Sequence, residues 1–167
     1  MKVINLFGGP GVGKTTVAMR VFTELNMKQL KVEYVDEYAK ELTWNQSFKM
    51  MENQQMIFAN QHQKFFRLKD TIDIAVTDAP LFNSIVYSGK GDDNKHFHAN
   101  VFHEFKRYQN LNFFLKRETE YKEHGRSQKL EDAIKVDEEV LRCLEWFKVP
   151  YVEISLKNAT ESILSLI

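Results

Sequence analysis

The apolar positions of this chain change their period several times, and each change marks an element. Residues 2–7 (KVINLF) are a short, nearly continuous apolar run ended by glycines, the pattern of a strand buried on both faces and central in its sheet. From Thr15 to about Met27, Val17, Ala18, Val21, Phe22 and Leu25 recur at three- and four-residue spacing, which predicts a helix with one apolar face. A second short strand is expected over 31–35 (KVEYV), ending at Asp36-Glu37, with a helical stretch after it. Between Lys49 and Lys69, Met51, Phe58 and Phe65 recur every seven residues with Met50, Ile57 and Leu68 alongside. One long helix is expected there, with Gln54, Gln55, Gln61 and Gln63 as unusually polar positions. Residues 72–77 (IDIAVT) predict a third strand closed by Asp78, and Pro80 suits the first turn of a helix running to about Ser88. After a glycine-containing loop at 88–93 come a helix over 94–108, a strand over 112–115, a polar stretch over 116–129, a helix ending at Phe147 and a strand over 151–154. Strands alternating with helices argue for an α/β fold in which a parallel sheet is covered on both faces.

Composition narrows the setting. A chain of 167 residues has the size of one domain, and 43% hydrophobic residues including 13 Phe suffice for a substantial core. Nothing reads as a linker or repeat, so a single domain over 1–167 is expected. Twenty-three basic and twenty-three acidic residues cancel, which recommends the chain as a whole neither to nucleic acid nor to a membrane surface. The apolar start is too short for a signal segment, no later stretch approaches a membrane span, and the single cysteine, Cys143, falls in an apolar stripe with Val140, Leu144 and Phe147. A reduced, cytoplasmic setting is the expectation.

The sharpest chemical signal is Gly8-x-x-x-x-Gly13-Lys14-Thr15 between a strand and an amphipathic helix, the Walker A pattern. The loop Gly8, Gly9, Pro10, Gly11, Val12 and Gly13 is expected to wrap the phosphates, turning the backbone N–H groups of its non-proline residues inward around the oxygens, with the following helix directing its positive end at the same anion. Lys14 adds a mobile charge for the β- and γ-phosphates, Thr15 offers a hydroxyl to Mg²⁺, and Thr16 completes the candidate ATP contacts. Asp78, delivered by a buried strand to the sheet edge beside this loop, stands where a carboxylate holds Mg²⁺ directly or through water; it is also a good helix N-cap.

Asp36-Glu37 ends the second strand, at the sheet edge where ligands collect. A carboxylate there either accepts a proton from an attacking hydroxyl or is simply solvated. Lys116-Arg117 and Arg126 bracket a polar segment that reads either as a lid over about 116–129, bringing arginines to a transferring phosphoryl group, or as a charged surface loop. The glutamines of the long helix suit the edge of a base or a solvated face. His96, His98 and His103 have neither a metal-ligand spacing nor cysteine partners.

Taken in order, the Walker loop, Asp36-Glu37-Tyr38-Ala39-Lys40-Glu41-Leu42, Asp78, and Arg117-x-x-x-Tyr121-x-x-x-Gly125-Arg126 followed by Asp137 resemble the small P-loop kinases of nucleosides and nucleotides. The nearest branch in this resemblance holds the ribosylnicotinamide kinase domain of NadR-type proteins and related phage-encoded ATPase-like kinases. It implies a five-stranded sheet of order 2-3-1-4-5, ATP and Mg²⁺, an acceptor bound opposite ATP and a closing arginine lid. It also implies that Glu37 or Asp36 contacts or deprotonates the acceptor hydroxyl, with Tyr38 beside them. Deoxynucleoside kinases, more distantly similar, use a helix glutamine for the base, which points to Gln55 or Gln61. They carry Arg-Ser where this chain has Ala79-Pro80 after Asp78.

The expected activity is transfer of the γ-phosphoryl group of ATP to a nucleoside-like small molecule. Two alternatives stay open: a kinase acting on a nucleic-acid end or modified base, for which Lys90, Lys95, Lys106, Arg107 and Lys116 would have to form a surface stripe, and a nucleotide-dependent switch or assembly module with an exposed apolar surface. The oligomeric state, a homodimer included, is not legible.

Overall fold

The structure, a computed structural model, describes residues 1–89, 94–118 and 130–167. Its elements run β1 (Lys2–Phe7), α1 (Lys14–Met27), β2 (Val32–Val35), α2 (Tyr38–Trp44), α3 (Phe48–Met51), α4 (Gln54–Phe66), β3 (Ile74–Thr77), α5 (Asn83–Tyr87), α6 (Lys95–Phe105), β4 (Gln109–Leu115), α7 (Leu130–Trp146), β5 (Val152–Ile154) and α8 (Ala159–Leu164). The five strands form one parallel sheet in the order β2-β3-β1-β4-β5. β1 is the central strand, as its unbroken apolar run requires.

Alternation along β1 divides the core in two. Val3 and Phe7 face one side with residues of α4, α5, α6 and α7, whereas Ile4 and Leu6 face the other with Val17, Val21 and Leu25 of α1 and Ile163 of α8. Phe82 is the hub of the first side. Its ring meets Phe7 at 6.1 Å, Phe105 at 5.5 Å and Phe147 at 5.6 Å, which accounts for much of the phenylalanine content.

The register of β1 against β4 is pinned by a buried amide cluster. Asn5 lies opposite Asn112, and its Nδ2 donates to Asn110 Oδ1 at 2.9 Å and to Asn112 Oδ1 at 3.0 Å. Asn112 donates in turn to the Pro150 carbonyl at 2.9 Å. A one-residue slip would turn these amides into the opposite apolar layer. Asn5→Leu removes the shared donor and leaves buried acceptors unpaired, so a loss of about 1–3 kcal/mol in urea unfolding is expected. An unchanged midpoint would show that the cluster adds nothing.

The long helix expected between 49 and 69 is broken. Asn53 caps a fresh start, its side chain accepting from Met56 N at 3.0 Å, so α3 and α4 are separate helices. Of the seven-residue repeat, Phe58 and Phe65 on α4 are buried in the core, whereas α3, which carries Met51, buries no residue. α8 had no counterpart in the sequence reading, and β4 begins earlier than expected, at Gln109. The loop at 90–93 and most of the expected lid, 119–129, lie outside the described residues.

Candidate functional site

β1 delivers the chain to the glycine-rich loop, and α1 leaves it. Gly13 sits at the N-cap of α1 with φ 102°, and a Cβ there would meet Leu156 Cδ1 at 2.8 Å, so only glycine fits both the backbone angle and the space. Lys14 reaches back over the loop, its Nζ donating to the carbonyls of Gly8 at 2.8 Å and Gly9 at 2.9 Å. Burial pushes its ammonium below the usual lysine value; Glu37, Asp78 and Asp137 pull the other way, and Arg117 reinforces the shift. Val12 is buried in the α1-side core, whereas Thr16 is exposed on the first turn of α1.

Asp78 is buried at the end of β3. The Thr15 hydroxyl donates to its Oδ2 and the Tyr34 hydroxyl donates to its Oδ1 at 2.8 Å. Burial and the neighbouring Asp78 charge raise the Tyr34 phenol well above the ordinary tyrosine value, so Tyr34 stays a donor. A hydroxyl and a carboxylate in direct contact at the mouth of a phosphate loop are the hard oxygen donors that Mg²⁺ takes, and the pair fits that ion. The capping role also open to Asp78 is not taken up: α5 starts only at Asn83, with Phe82 at its N-cap and no side-chain cap, and Thr77 Oγ1 accepts from Ala79 N at 3.0 Å in the turn before it.

The acidic pair after β2 divides. Asp36 is exposed and pairs with Lys64 at 3.0 Å, and Lys64 also pairs with Glu41. Glu37 turns inward. Burial raises its carboxyl above the usual 4.5, the Lys14 charge opposes this, and Asp78 adds to it. Gln61 is buried, and both ends of its amide are engaged: Oε1 accepts from Tyr38 N at 2.9 Å and Nε2 donates to the Asp36 carbonyl at 3.0 Å. Its observed work is to hold the turn from Asp36 to Tyr38, which supports Glu37 from behind. Gln55, by contrast, is exposed on the first turn of α4. With Asn53, Gln54, Tyr87, Asn94 and Phe97 it lines an open cavity of about 550 Å³. The Tyr87 phenol is pushed up to about 12, chiefly by burial, with the charges of Glu37 and Asp137 adding to the shift.

Arg117, just beyond β4, lies on the loop. Its Nε donates to Asp137 Oδ2 at 2.7 Å and its Nη2 donates to the Pro10 carbonyl at 3.0 Å. The second Asp137 oxygen accepts from Gly9 N. Arg126 lies outside the described residues. A second cavity, of about 500 Å³, opens on the other side of the loop between Arg20, Glu118, Ser155, Leu156 and Lys157.

Two residues of this site escape a reading of the sequence pattern. Asp137 enters it only as part of the resemblance, although a carboxylate standing in the helical stripe of Ala133, Val140 and Leu144 is a visible anomaly. Tyr34 has no such signal, because its approach to Asp78 follows from strand register: it lies opposite Val76, two residues before the carboxylate. Among the described residues no cluster of three His, Cys, Asp or Glu could hold a metal, and His98 instead bonds Ser88 at 2.7 Å. No helix among them is long and apolar enough to cross a membrane.

A family model described as an AAA domain matches residues 3–161. A search of curated proteins finds no match. Among solved structures, the crystal structure of NadR protein in complex with NR is similar with a TM-score of 0.71 and 20% identity. The similarity covers 91% of this chain and 45% of that one, so the chain spans less than half of that protein's length. At this identity the likeness is one of fold. The loop geometry, the sheet order and the extent of the family match agree: the chain belongs to this AAA-domain family and has the P-loop NTPase fold.

Proposed function

We propose that this protein is an ATP-dependent phosphotransferase that moves the γ-phosphoryl group to a hydroxyl of a nucleoside-like small molecule. The observation that carries the reading is Glu37. It is an inward-turned carboxyl of raised proton affinity within charge range of Lys14 and of Tyr87, and Tyr87 in turn lines an open cavity with amides, Phe97 and the charged pair Lys49 and Glu52. A signalling nucleotide needs no such arrangement, whereas an acceptor hydroxyl does.

In this account the loop N–H groups and Lys14 bind the donor phosphates, and Lys14 gives up its contacts with Gly8 and Gly9 to follow the charge onto the transferring oxygens. Glu37 takes the proton of the acceptor hydroxyl as its oxygen bonds to the γ-phosphorus and the bond to the β-phosphate oxygen breaks, leaving ADP. Thr15 and Asp78 would hold Mg²⁺, which neutralises the β- and γ-phosphate oxygens when bound. Tyr34 keeps Asp78 oriented. Arg117 stabilises the charge on the transferring group, and amides such as Gln55 in the open cavity meet the acceptor base. The fold neighbour bound to NR and the resemblance to ribosylnicotinamide kinases support a nucleoside as the first acceptor to try.

One observation favours a second reading. Trp44, Phe48 and Met50, on α2 and α3, are 78%, 62% and 46% exposed, an apolar surface of the kind an assembly module would use. The polymer reading gains nothing comparable: Arg107 pairs with Glu104, Lys116 with Glu153, and Lys106 lies over the Phe102 ring. A thermal-shift screen with Mg-ATP and its non-hydrolysable analogue against nucleosides, nucleotides and nicotinamide riboside decides between small-molecule acceptor and assembly. Added stabilisation by one class of acceptor is expected. No acceptor effect, combined with nucleotide-dependent self-association, would favour the assembly reading.

A further inference from the structure

Asp137 has no part in binding phosphate by its own chemistry, because a carboxylate repels the anion that the loop is built to hold. Yet both of its oxygens are committed at the loop, one to Gly9 N and the other to Arg117 Nε. We infer that Asp137 is a positioning residue that holds the Arg117 guanidinium on the phosphate loop, so that Arg117 reads the terminal phosphoryl group of a bound nucleoside triphosphate. The inference rests on the proposed donor role of that loop.

Three observations carry it. The first is closeness. A Cβ on Gly9 would meet the Ala133 carbonyl at 2.5 Å, Asp137 Oδ1 at 2.9 Å and Arg117 Nη2 at 3.1 Å, so the loop, α7 and the arginine pack without room for a methyl group. Arg117 is also held to the Pro10 carbonyl at 3.0 Å, which fastens its guanidinium to the loop as well as to the helix. The second is burial. The side chains of Arg117 and Asp137 are only 12% and 13% exposed, so removing one partner leaves the other charge in a poorly solvated place.

The third is charge. Arg117 and Lys14 are two cations gathered at one loop, and Arg117 lowers the proton affinity of Lys14 while Asp137 raises it. Glu37 and Asp78 also act on Lys14, but Asp137 both acts on Lys14 and bonds Arg117 directly, so it offsets the repulsion between the two cations. With Asp137 in place the guanidinium is already assembled, and the ordering cost is met before the nucleotide binds.

The test uses binding, which needs no identified acceptor. Dissociation constants for Mg-ADP and for Mg-AMP-PNP are measured by calorimetry on the unsubstituted protein, Asp137→Asn, Arg117→Ala and the double variant. Asparagine still offers an oxygen to Gly9 N but cannot accept from both donors. The unsubstituted protein is expected to prefer AMP-PNP, and Asp137→Asn to lose about tenfold of that preference while its ADP affinity changes little. Arg117→Ala is expected to lose a similar factor, and the double variant no more than either alone. Equal weakening of ADP and AMP-PNP would make Asp137 a mere brace of the loop and overturn the inference, as would additive losses in the double variant. If Asp137→Asn does not fold, Arg117→Lys keeps the charge but loses the forked contact, and an unchanged preference in that variant overturns the inference equally. Failure of the unsubstituted protein to bind either nucleotide would overturn the donor reading itself, and this inference with it.

Discussion

Lys14→Ala is expected to lower acceptor-dependent ATP turnover by at least about a thousandfold while the protein still folds. The side chain packs no core; the apolar face of α1 is Val17, Ala18, Val21 and Leu25. Its described hydrogen bonds are to the Gly8 and Gly9 carbonyls, so its loss leaves two loop acceptors to water or to a neighbour. Its burial already disfavours the charged ammonium, which means that removing the charge returns part of that cost. The two terms oppose each other, and a net change within about 2 kcal/mol is expected. Circular dichroism melts beside steady-state turnover check both halves. A variant that is inactive because it is unfolded would not support the account, and one that stays active would remove Lys14 from it.

Glu37→Gln is expected to lower phosphoryl transfer by about 10²–10⁴-fold with Mg-ATP affinity nearly unchanged, the signature of a lost general base. Its pH dependence follows from the direction of the shift. A base must be ionised, and burial raises this carboxyl above 4.5, so the acidic limb of kcat should lie above the ordinary glutamate value and vanish in the glutamine variant. Stability runs the other way. Between 4.5 and its raised native value Glu37 binds more protons folded than unfolded, so its contribution to stability falls as pH rises through that window. Above that window the ionised carboxylate is a cost, and there Glu37→Gln should melt no lower than the unsubstituted protein. A limb that survives the substitution would assign the base elsewhere, with Asp36 the next candidate.

Much of the fold is legible where the sequence carries a local rule, although Pro80 stands before α5, which starts at Asn83, and not in its first turn. The Walker loop lies between a buried strand and an amphipathic helix because each segment has its own period, and β1 is central because an apolar run without alternation must be covered on both faces. The strand order came from resemblance, since nothing in a strand's own residues names its neighbours. The break at Asn53 is not legible in the seven-residue apolar repeat, because the helix restarts on a side-chain-to-backbone bond, Met56 N to Asn53 Oδ1, which periodicity does not register. Asp36 and Glu37 were indistinguishable as a dipeptide; the ion pair of Asp36 with Lys64 separates them, and that depends on how α4 crosses β2. Gln61 stands out in sequence as a polar position suited to the edge of a base, but both ends of its amide bond backbone groups of the Asp36 to Tyr38 turn, which no spacing rule reveals. The same limit hides Tyr34, whose function is written in the register of β2 against β3.

The central claim is that the bound nucleotide is a phosphoryl donor to a small molecule, and following the γ-phosphorus of labelled ATP tests it most directly. The protein is incubated with Mg²⁺, γ-labelled ATP and each of a panel of nucleosides, nucleotides and nicotinamide riboside, and the products are separated. The account predicts label on an organic acceptor, with ADP formed in equal amount and only when that acceptor is present. Label released solely as inorganic phosphate, at a rate indifferent to every acceptor, would contradict it.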